Sequence, residues 1–393
     1  MRVLKICVNK WENESRDERE LSTYENNGAE VLVMAKGDPG DCGRHDIVHG
    51  FDVYRYGTKF GGSSLTDKIK AIRLWRDHVS DLEPDVISGH DVVGMLIAYL
   101  YARRIKSGKK PFLIYDAHEF EPARNTVRSS MQIKVVCMLE KKLIKKCNLM
   151  IVVNSGVAEA YKDYYALNSL PLAIRNIPLK AAKDTAASSE IRDEFEKTVG
   201  SGFFLMYHGI LCKGRGLEKT ITCLKSDISL RLAIVGNESS DGYKDSLVSL
   251  AAKEGVSDRI YWHDAVPNTE LVKYIGAADA SMMIIEPVTE SYRLALPNKL
   301  FESIQACTPV IASSLPEMKK IVDSYGVGLT CSYDDQNDID RVVHQMRSDK
   351  DNYLKYKRNI AHAAEELCWE NESVKLTDAF STMIKDDDKN HPY

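Results

Sequence analysis

The stretch FFLMYHGILCKGRGLEKTI (203–221) shows the order of strand, loop and helix that recurs along this chain. It starts with an apolar run, passes through a loop with glycines at 209, 214 and 216, and continues into a segment of helical character. A short apolar run followed by a glycine turn and a helix is typical of a buried strand in a parallel α/β sheet. Such turns lie at the carboxyl ends of strands, where open α/β sheets bind their ligands.

The same alternation extends in both directions along the chain. Helical patterns cover 67–82, 92–107 and 129–146, between runs rich in β-branched residues. The predicted strands are 3–8, 29–35, 53–56, 86–88, 112–116, 149–154, 203–207, 230–235, 260–262, 280–285 and 309–312. This order predicts parallel sheets that are covered by helices on both faces.

A polar stretch interrupts the alternation between residues 180 and 200. We therefore predict an N-terminal domain over 1–178, a linker over 179–200 and a second domain over 201–365. A C-terminal helix with a tail, 366–393, is expected to return to the first domain. The predicted fold class is α/β, with two doubly wound, Rossmann-like parallel-sheet domains that face a central cleft.

Composition narrows the classes of function. The 393 residues carry 53 Lys+Arg against 57 Asp+Glu, a balance that argues against nucleic acid as the main partner. Nine cysteines without a C-x-x-C pair argue against a zinc ribbon and favour a reducing cytoplasm. No apolar run approaches the ~20 residues of a membrane span, so we expect a cytoplasmic protein, at most peripheral at the inner face of a membrane.

The first candidate site is the loop that follows the strand 203–207. Gly209 allows close backbone approach, and Lys213 and Arg215 would suit a phosphate group at the start of the next helix. The alternative is a solvated turn whose cations face water. The turn at Gly236-Asn237 follows another predicted strand and is a weaker signal of the same kind.

The second candidate site lies in EPVTESYRLALPNKLFE (286–302). Pro297 suits a first helical turn, where Lys299 and free backbone N–H groups could bind a diphosphate. Lys299 and Glu302 are spaced i, i+3 and share a helix face, so the carboxylate could bind a ribose diol. The alternative is an ordinary surface Lys–Glu pair.

The third candidate site is YDAHE (115–119), at the end of a predicted strand. His118, beside two carboxylates, is either an acid/base or orienting group or a structural histidine.

The ordered set of motifs closely resembles family 4 of the GT-B glycosyltransferases. It consists of HGILCKGRGLEKTI (208–221), VGNE (235–238) and the run from LPNKLFE (296–302) through GVG (326–328). The resemblance implies a hexosyltransferase-type enzyme that uses a UDP- or GDP-linked sugar, retains the anomeric configuration and needs no metal or cofactor. The implied acceptor is a glycan or lipid-linked saccharide, as in surface polysaccharide biosynthesis.

The resemblance also implies the roles of individual residues. Catalytic roles fall on His118, which matches the histidine facing the donor sugar, and on Arg215 and Lys299. The implied donor-binding positions are Gly209, Lys213, Gly236, Asn237, Leu296, Pro297, Asn298 and Glu302. Candidate contacts to the sugar or acceptor are Arg16, Glu119, Tyr292 and Arg293.

Two positions depart from the family pattern. Leu294 stands where the first glutamate of a pair is usual, and Ile210 replaces an arginine. Two alternatives therefore stay open: a nucleotide-sugar epimerase or hydrolase on the same fold, and a catalytically silent nucleotide-sugar-binding subunit.

The predicted helix 131–147 has a basic face and an apolar face. It is either an ordinary core-packed helix with solvated lysines or a peripheral contact with an anionic membrane.

Overall fold

The computed structural model describes residues 1–12, 15–57, 64–124, 128–181 and 184–387. Within them the chain forms two compact units. The first unit comprises Met1–Arg175 together with the residues from Glu372 onward, and the second comprises Asn176–Asn371. The part of the predicted tail from residue 388 lies outside the described residues.

The first unit is built on an eight-stranded sheet in the order β3-β4-β2-β1-β5-β6-β7-β8, parallel except for the antiparallel pair β3–β4. Its strands are β1 (Arg2–Cys7), β2 (Glu30–Lys36), β3 (Cys42–Val48), β4 (Phe51–Tyr56), β5 (Val86–His90), β6 (Phe112–Ala117), β7 (Leu149–Val152) and β8 (Leu172–Ala173). Its helices include α1 (Ser15–Asn26), α2 (Leu65–Val79), α3 (Asp91–Ala102), α4 (Ser130–Ile144) and α5 (Ser155–Tyr165).

The second unit is built on a fully parallel six-stranded sheet in the order β11-β10-β9-β12-β13-β14. Its strands are β9 (Phe203–His208), β10 (Leu230–Val235), β11 (Ile260–His263), β12 (Ala280–Met283), β13 (Val310–Ser313) and β14 (Gly328–Cys331). The helices of the remaining chain are α6 (Thr185–Val199), α7 (Leu217–Cys223), α8 (Tyr243–Glu254), α9 (Asn268–Gly276), α10 (Glu290–Arg293), α11 (Asn298–Gln305), α12 (Pro316–Tyr325), α13 (Gln336–Ser348), α14 (Lys350–Glu366) and α15 (Trp369–Asp387).

Three strands, β3, β8 and β14, were absent from the sequence prediction. Strand β3 lies at a sheet edge, and its residues are exposed or half-buried, so its sequence CGRHDIV lacks the apolar run of a buried strand. Strand β8 has only two residues. Short or exposed edge strands carry little of the hydrophobic pattern from which buried strands are predicted.

The predicted linker 179–200 differs from the structure, because most of it is helix α6. Phe195 of this helix is fully buried and stacks on Phe204 of β9, with ring centroids 5.5 Å apart. The helix has an apolar stripe with a spacing of four residues, formed by Ile191, Phe195 and Val199. Charged residues stand between them in the sequence and hide the stripe. The segment therefore belongs to the core of the second unit.

The end of the chain packs within the first unit. From Glu372 onward, helix α15 belongs to that unit, and the Glu372 carboxylate accepts hydrogen bonds from the backbone and side chain of Arg175 at 2.9 and 3.0 Å. The rings of Phe380 and Tyr24 lie 4.6 Å apart. Among the described helices, none is both long and apolar enough to cross a membrane.

Two glycines with the same backbone conformation test how tightly the second unit is packed. Gly216 and Gly255 both have φ of 68°, but a Cβ on Gly216 would lie 2.2 Å from the Ile284 carbonyl oxygen, whereas nothing lies within 4 Å of a Cβ on Gly255. We expect Gly255→Ala to lower the free energy of unfolding by about 1–2 kcal/mol through φ alone. Gly216→Ala should cost about 1–3 kcal/mol more. Chemical denaturation measures both, and equal losses would contradict the close approach.

Candidate functional site

The carboxyl ends of β9, β10 and β12 lie at one edge of the second sheet. The chain passes from β9 to β10 and β11 on one side and then crosses to β12, β13 and β14 on the other, so β9 and β12 flank the switch in strand order. Ligands of open α/β sheets bind at such switch points. The predicted residues 209–216 and 236–237 lie in the loops after β9 and β10, and residues 296–302 lie at the start of α11, which follows β12.

The loops after β9 and β10 run side by side. A Cβ on Gly236 would lie 2.1 Å from the Gly209 carbonyl oxygen, so only glycine fits there without displacement. Leu211 N–H donates to the Asn237 carbonyl at 2.9 Å. The Asn237 side chain is exposed, and its Oδ1 accepts from Ala265 N–H at 2.9 Å. Asn237 thus has a structural role within the loop.

Lys299, in the first turn of α11, is buried (8% exposed). Its Nζ lies 3.6 Å from the centroid of the Tyr207 ring, a distance suited to a cation–π contact. Gly209 makes room for the side chain, since a Cβ there would lie 3.0 Å from Lys299 Cε. No carboxylate of the described residues lies within ion-pair distance of this ammonium, and burial followed by the charge of Arg215 lowers its pKa well below the ordinary lysine value.

The other two predicted cations lie in the loop before α7. Arg215 is half-buried close to Tyr207 and Lys299, and Lys213 is exposed. Neither side chain forms an ion pair with a residue that the structure describes. The structure therefore brings Arg215 and Lys299, two of the three predicted cations, together around Tyr207 and leaves Lys213 at the surface.

Glu302 lies one turn after Lys299 on α11, and its side chain is 22% exposed. Its Oε2 lies 3.0 Å from Nε2 of His208, the last residue of β9. His208 is 1% exposed, and burial lowers its pKa although Glu302 opposes the shift. Sequence reasoning missed His208; the available signal was a polar residue at the end of an apolar strand, directly before a glycine.

The start of α11 differs slightly from the prediction. Pro297 is the N-cap residue, with φ −73° and ψ 147°, and the helix begins at Asn298 instead of including Pro297 in its first turn. Leu296, Pro297 and Asn298 are half-buried and lead the chain into the helix. Leu300 N–H already donates to the Pro297 carbonyl at 3.1 Å, and the backbone N–H groups of Asn298 and Lys299, which have no partner among the described residues, remain available for a ligand.

Contacts within the second unit hold Tyr292, Arg293 and Leu294 in place. Leu294 is 6% exposed, so this apolar side chain takes a largely buried position. Arg293, a predicted sugar or acceptor contact, donates to Glu290 through Nε at 2.7 Å. Tyr292 packs against the core of the second unit.

In the first unit, His118 follows β6 and is 19% exposed. Its Nε2 lies 2.9 Å from Asp116 Oδ2, and its ring lies 3.8 Å from that of His90. Burial lowers the pKa of His90, but the hydrogen bond to Asp17 and the nearby acids outweigh it and raise this pKa to about 9. Glu119 is partly exposed and lies 3.4 Å from Arg124.

Arg16 belongs to a buried charge cluster beneath His118. Its guanidinium contacts Glu20 at 3.0 Å, Asp116 at 3.3 Å and the Ile174 carbonyl at 2.8 Å. The predicted contact of Arg16 with sugar or acceptor is therefore not a feature of this conformation.

Lys5 lies at the centre of the same cluster. It is fully buried, with its Nζ 3.0 Å from Asp17 and 3.2 Å from Glu20 and in direct contact with Asp116. Asp17, Asp116 and His118 also lie close enough together to hold a metal ion. The Lys5 ammonium, however, already supplies positive charge to both aspartates.

Both units match known protein families. Residues 188–366 match the family described as "Glycosyl transferases group 1", and residues 21–174 match "Glycosyltransferase Family 4". A D-inositol 3-phosphate glycosyltransferase of Nocardia farcinica (strain IFM 10152) is 27% identical over 159 residues. That alignment covers 40% of this chain and about a third (34%) of the relative's length.

Solved structures show the same fold. Sucrose-phosphate synthase from Thermosynechococcus elongatus superposes with a TM-score of 0.78 at 16% identity, over 98% of this chain and 99% of that one. Anabaena HepE in complex with UDP has a TM-score of 0.73 at 14% identity, over 97% and 100%. The predicted fold class is thereby confirmed as GT-B, the two-domain architecture of many glycosyltransferases. The chain is therefore a glycosyltransferase with a family 4 region followed by a group 1 region, in agreement with its motifs.

An anion bound beside Lys299 should draw a proton from solution. Burial lowers the pKa of Lys299, and a neighbouring anion would favour the charged ammonium and raise this pKa again. At any pH between the two values, binding is accompanied by proton uptake. Calorimetry with inorganic pyrophosphate in buffers of different ionisation enthalpy, over about pH 6–10, should show uptake of up to about one proton.

The matched variants are Lys299→Met and Lys213→Met. The first should abolish the uptake, and the second should preserve it because Lys213 is exposed. Equal uptake in the wild type and Lys299→Met would assign the proton to another group.

Proposed function

We propose that this glycosyltransferase binds a nucleotide-diphosphate sugar in the second unit and transfers a hexose, with retention, to a glycan or lipid-linked acceptor. The proposal rests on Lys299, which is buried in the first turn of α11 and lies close to Arg215. Its ammonium has no ionic partner in the described part of the chain. An isolated buried charge is costly. A diphosphate would supply the missing counter-charge.

The same groups suit the chemistry of sugar transfer. Breaking the glycosidic bond leaves negative charge on the departing diphosphate while positive charge develops at the anomeric carbon. Arg215, Lys299 and the N–H groups at the start of α11 are held in place before reaction, so they can stabilise that negative charge at little reorganisation cost. Glu302, one turn along the same helix, is placed to accept hydrogen bonds from the ribose.

UDP is the first nucleotide to test, although the proposal covers UDP- and GDP-linked donors. The HepE structure contains UDP, and its overall similarity to this chain supports that choice. The loops at Gly209 and Gly236 approach each other closely enough to form a compact edge against which a nucleotide could lie.

The first unit is proposed to bind the acceptor and to provide His118. The Asp116 carboxylate can only accept hydrogen bonds, so its 2.9 Å contact with His118 places a hydrogen on Nε2 of the histidine. The ring is thereby held in one orientation. His118 is proposed to contact the transferred sugar, a role that follows from the family resemblance.

Arg215→Ala should lower turnover on the order of 10²-fold, because it removes a donor that stabilises the leaving diphosphate. The thermal unfolding midpoint should stay close to that of the wild type, since Arg215 forms no ion pair with a described residue. Nucleotide release with and without acceptor measures the effect. Lys213→Ala is the matched control and should have a smaller effect, and unchanged turnover in Arg215→Ala would remove Arg215 from the mechanism.

The same assay separates the open alternatives. Release of UDP or GDP that accelerates with acceptor supports transfer, whereas release without any acceptor dependence supports a hydrolase or epimerase. Binding without release in any condition supports a silent subunit.

We further propose that the first unit contacts an anionic membrane through α4. Met131, Val135 and Met138 recur at i, i+4 and i+7 and are 70%, 52% and 61% exposed. The opposite face packs inward through a group that includes Cys137 and Leu143. The exposed lysines of this segment are Lys134, Lys141, Lys142, Lys145 and Lys146. Exposed apolar side chains flanked by lysines suit an interfacial helix, and this surface would bring the enzyme to a lipid-linked acceptor.

Vesicle sedimentation tests this surface. The protein should bind anionic vesicles more strongly than neutral ones, and Met131→Gln/Met138→Gln should weaken binding on the order of tenfold through lost apolar burial. Leu354→Gln, an exposed apolar residue of α14, is the matched control and should have no effect. Equal, weak binding to both vesicle types would leave α4 as an ordinary surface helix.

A further inference from the structure

His208 is buried at the end of β9, in contact with the donor site. Its Nε2 lies 3.0 Å from Glu302 Oε2. An ionised carboxylate can only accept hydrogen bonds, so the contact places a hydrogen on Nε2. Because burial lowers the pKa of His208, the neutral ring carries this single proton and leaves a lone pair on Nδ1.

The other ring nitrogen is unsatisfied. Nδ1 is buried and has no hydrogen-bond partner among the described residues. A buried acceptor without a partner reduces stability, and an apolar side chain at this position would avoid that cost. The imidazole therefore gains one hydrogen bond, the one to Glu302, at the expense of an unsatisfied atom.

That hydrogen bond restricts a side chain that is otherwise free to rotate. Glu302 is 22% exposed, and among the described residues His208 donates the only side-chain hydrogen bond to its carboxylate. Loss of this contact would release a side chain with several rotamers at the surface of the site. With it, Oε2 is fixed, and both carboxylate oxygens keep lone pairs available for a ligand.

We propose that His208 is a positioning residue, which holds the Glu302 carboxylate in place to accept hydrogen bonds from the two ribose hydroxyls of the donor nucleotide. This inference rests on the proposed function, in which Glu302 binds the ribose. His208 itself acts only through Glu302. It determines the preference for a ribose diol and leaves the diphosphate contacts unchanged.

The test compares binding of UDP with that of 2′,3′-dideoxy-UDP, which lacks both hydroxyls. Calorimetry of the wild type should show a preference for UDP on the order of tenfold or more. Glu302→Gln should remove most of this preference. His208→Leu should remove it to a similar extent, and this variant should leave affinity for inorganic pyrophosphate unchanged, because it removes no charge.

Two polar substitutions separate positioning from packing. His208→Gln can place an amide N–H near the former Nε2 and should restore the preference for UDP. His208→Asn places its amide near the former Nδ1, so it cannot reach Glu302 and should behave like His208→Leu. This variant also keeps the experiment decisive if the leucine variant does not fold.

The outcomes distinguish the two proposals. A ribose preference that survives Glu302→Gln would refute the proposed role of Glu302. A preference lost in Glu302→Gln but retained in both His208→Leu and His208→Asn would refute the positioning role alone. The double variant His208→Asn/Glu302→Gln should match Glu302→Gln, and a further loss of preference would show that His208 acts by another route.

Discussion

The buried ammonium of Lys299 is the constraint on which the site of the second unit depends. It lies on the face of Tyr207, in space left by the missing side chain of Gly209. A lysine in such surroundings favours its neutral form, which is why its pKa is lowered. The rest of the site follows from it: Arg215 adds a second cation, and α11 adds free backbone N–H groups.

The first unit contains a second buried lysine with the opposite electrostatic balance. Burial alone would lower the pKa of Lys5, but Asp116, Asp17 and Glu20 outweigh it and raise the pKa well above the ordinary value. Lys5 is thus compensated by the protein itself, and removing Lys5 would take away a positive charge that Asp17, Glu20 and Asp116 share. The two buried lysines thus differ in their partners: acidic side chains surround Lys5, whereas no carboxylate of the described residues lies within ion-pair distance of Lys299.

A similar contrast explains how far the sequence could predict the candidate site. The sequence indicated the glycine loop at 209–216 and a helix start near 298, and the structure places Arg215 and Lys299 of these two segments close together. The partner of Glu302 was not predictable, because His208 lies 94 residues away and its contact depends on how α11 packs beside β9. Likewise, no local pattern around Arg16 indicates that it is buried beside Glu20 and Asp116.

The sequence by itself determined the alternation of strands and helices, the division into two α/β units and the positions of the phosphate-binding candidates. These features depend on local patterns, such as apolar runs, turn glycines and helix starts, which can be recognised without knowing the tertiary structure. Only the tertiary structure decided that residues 185–199 form a core helix and which buried charges have partners. Burial and long-range pairing depend on residues far apart in the chain, so no local pattern encodes them.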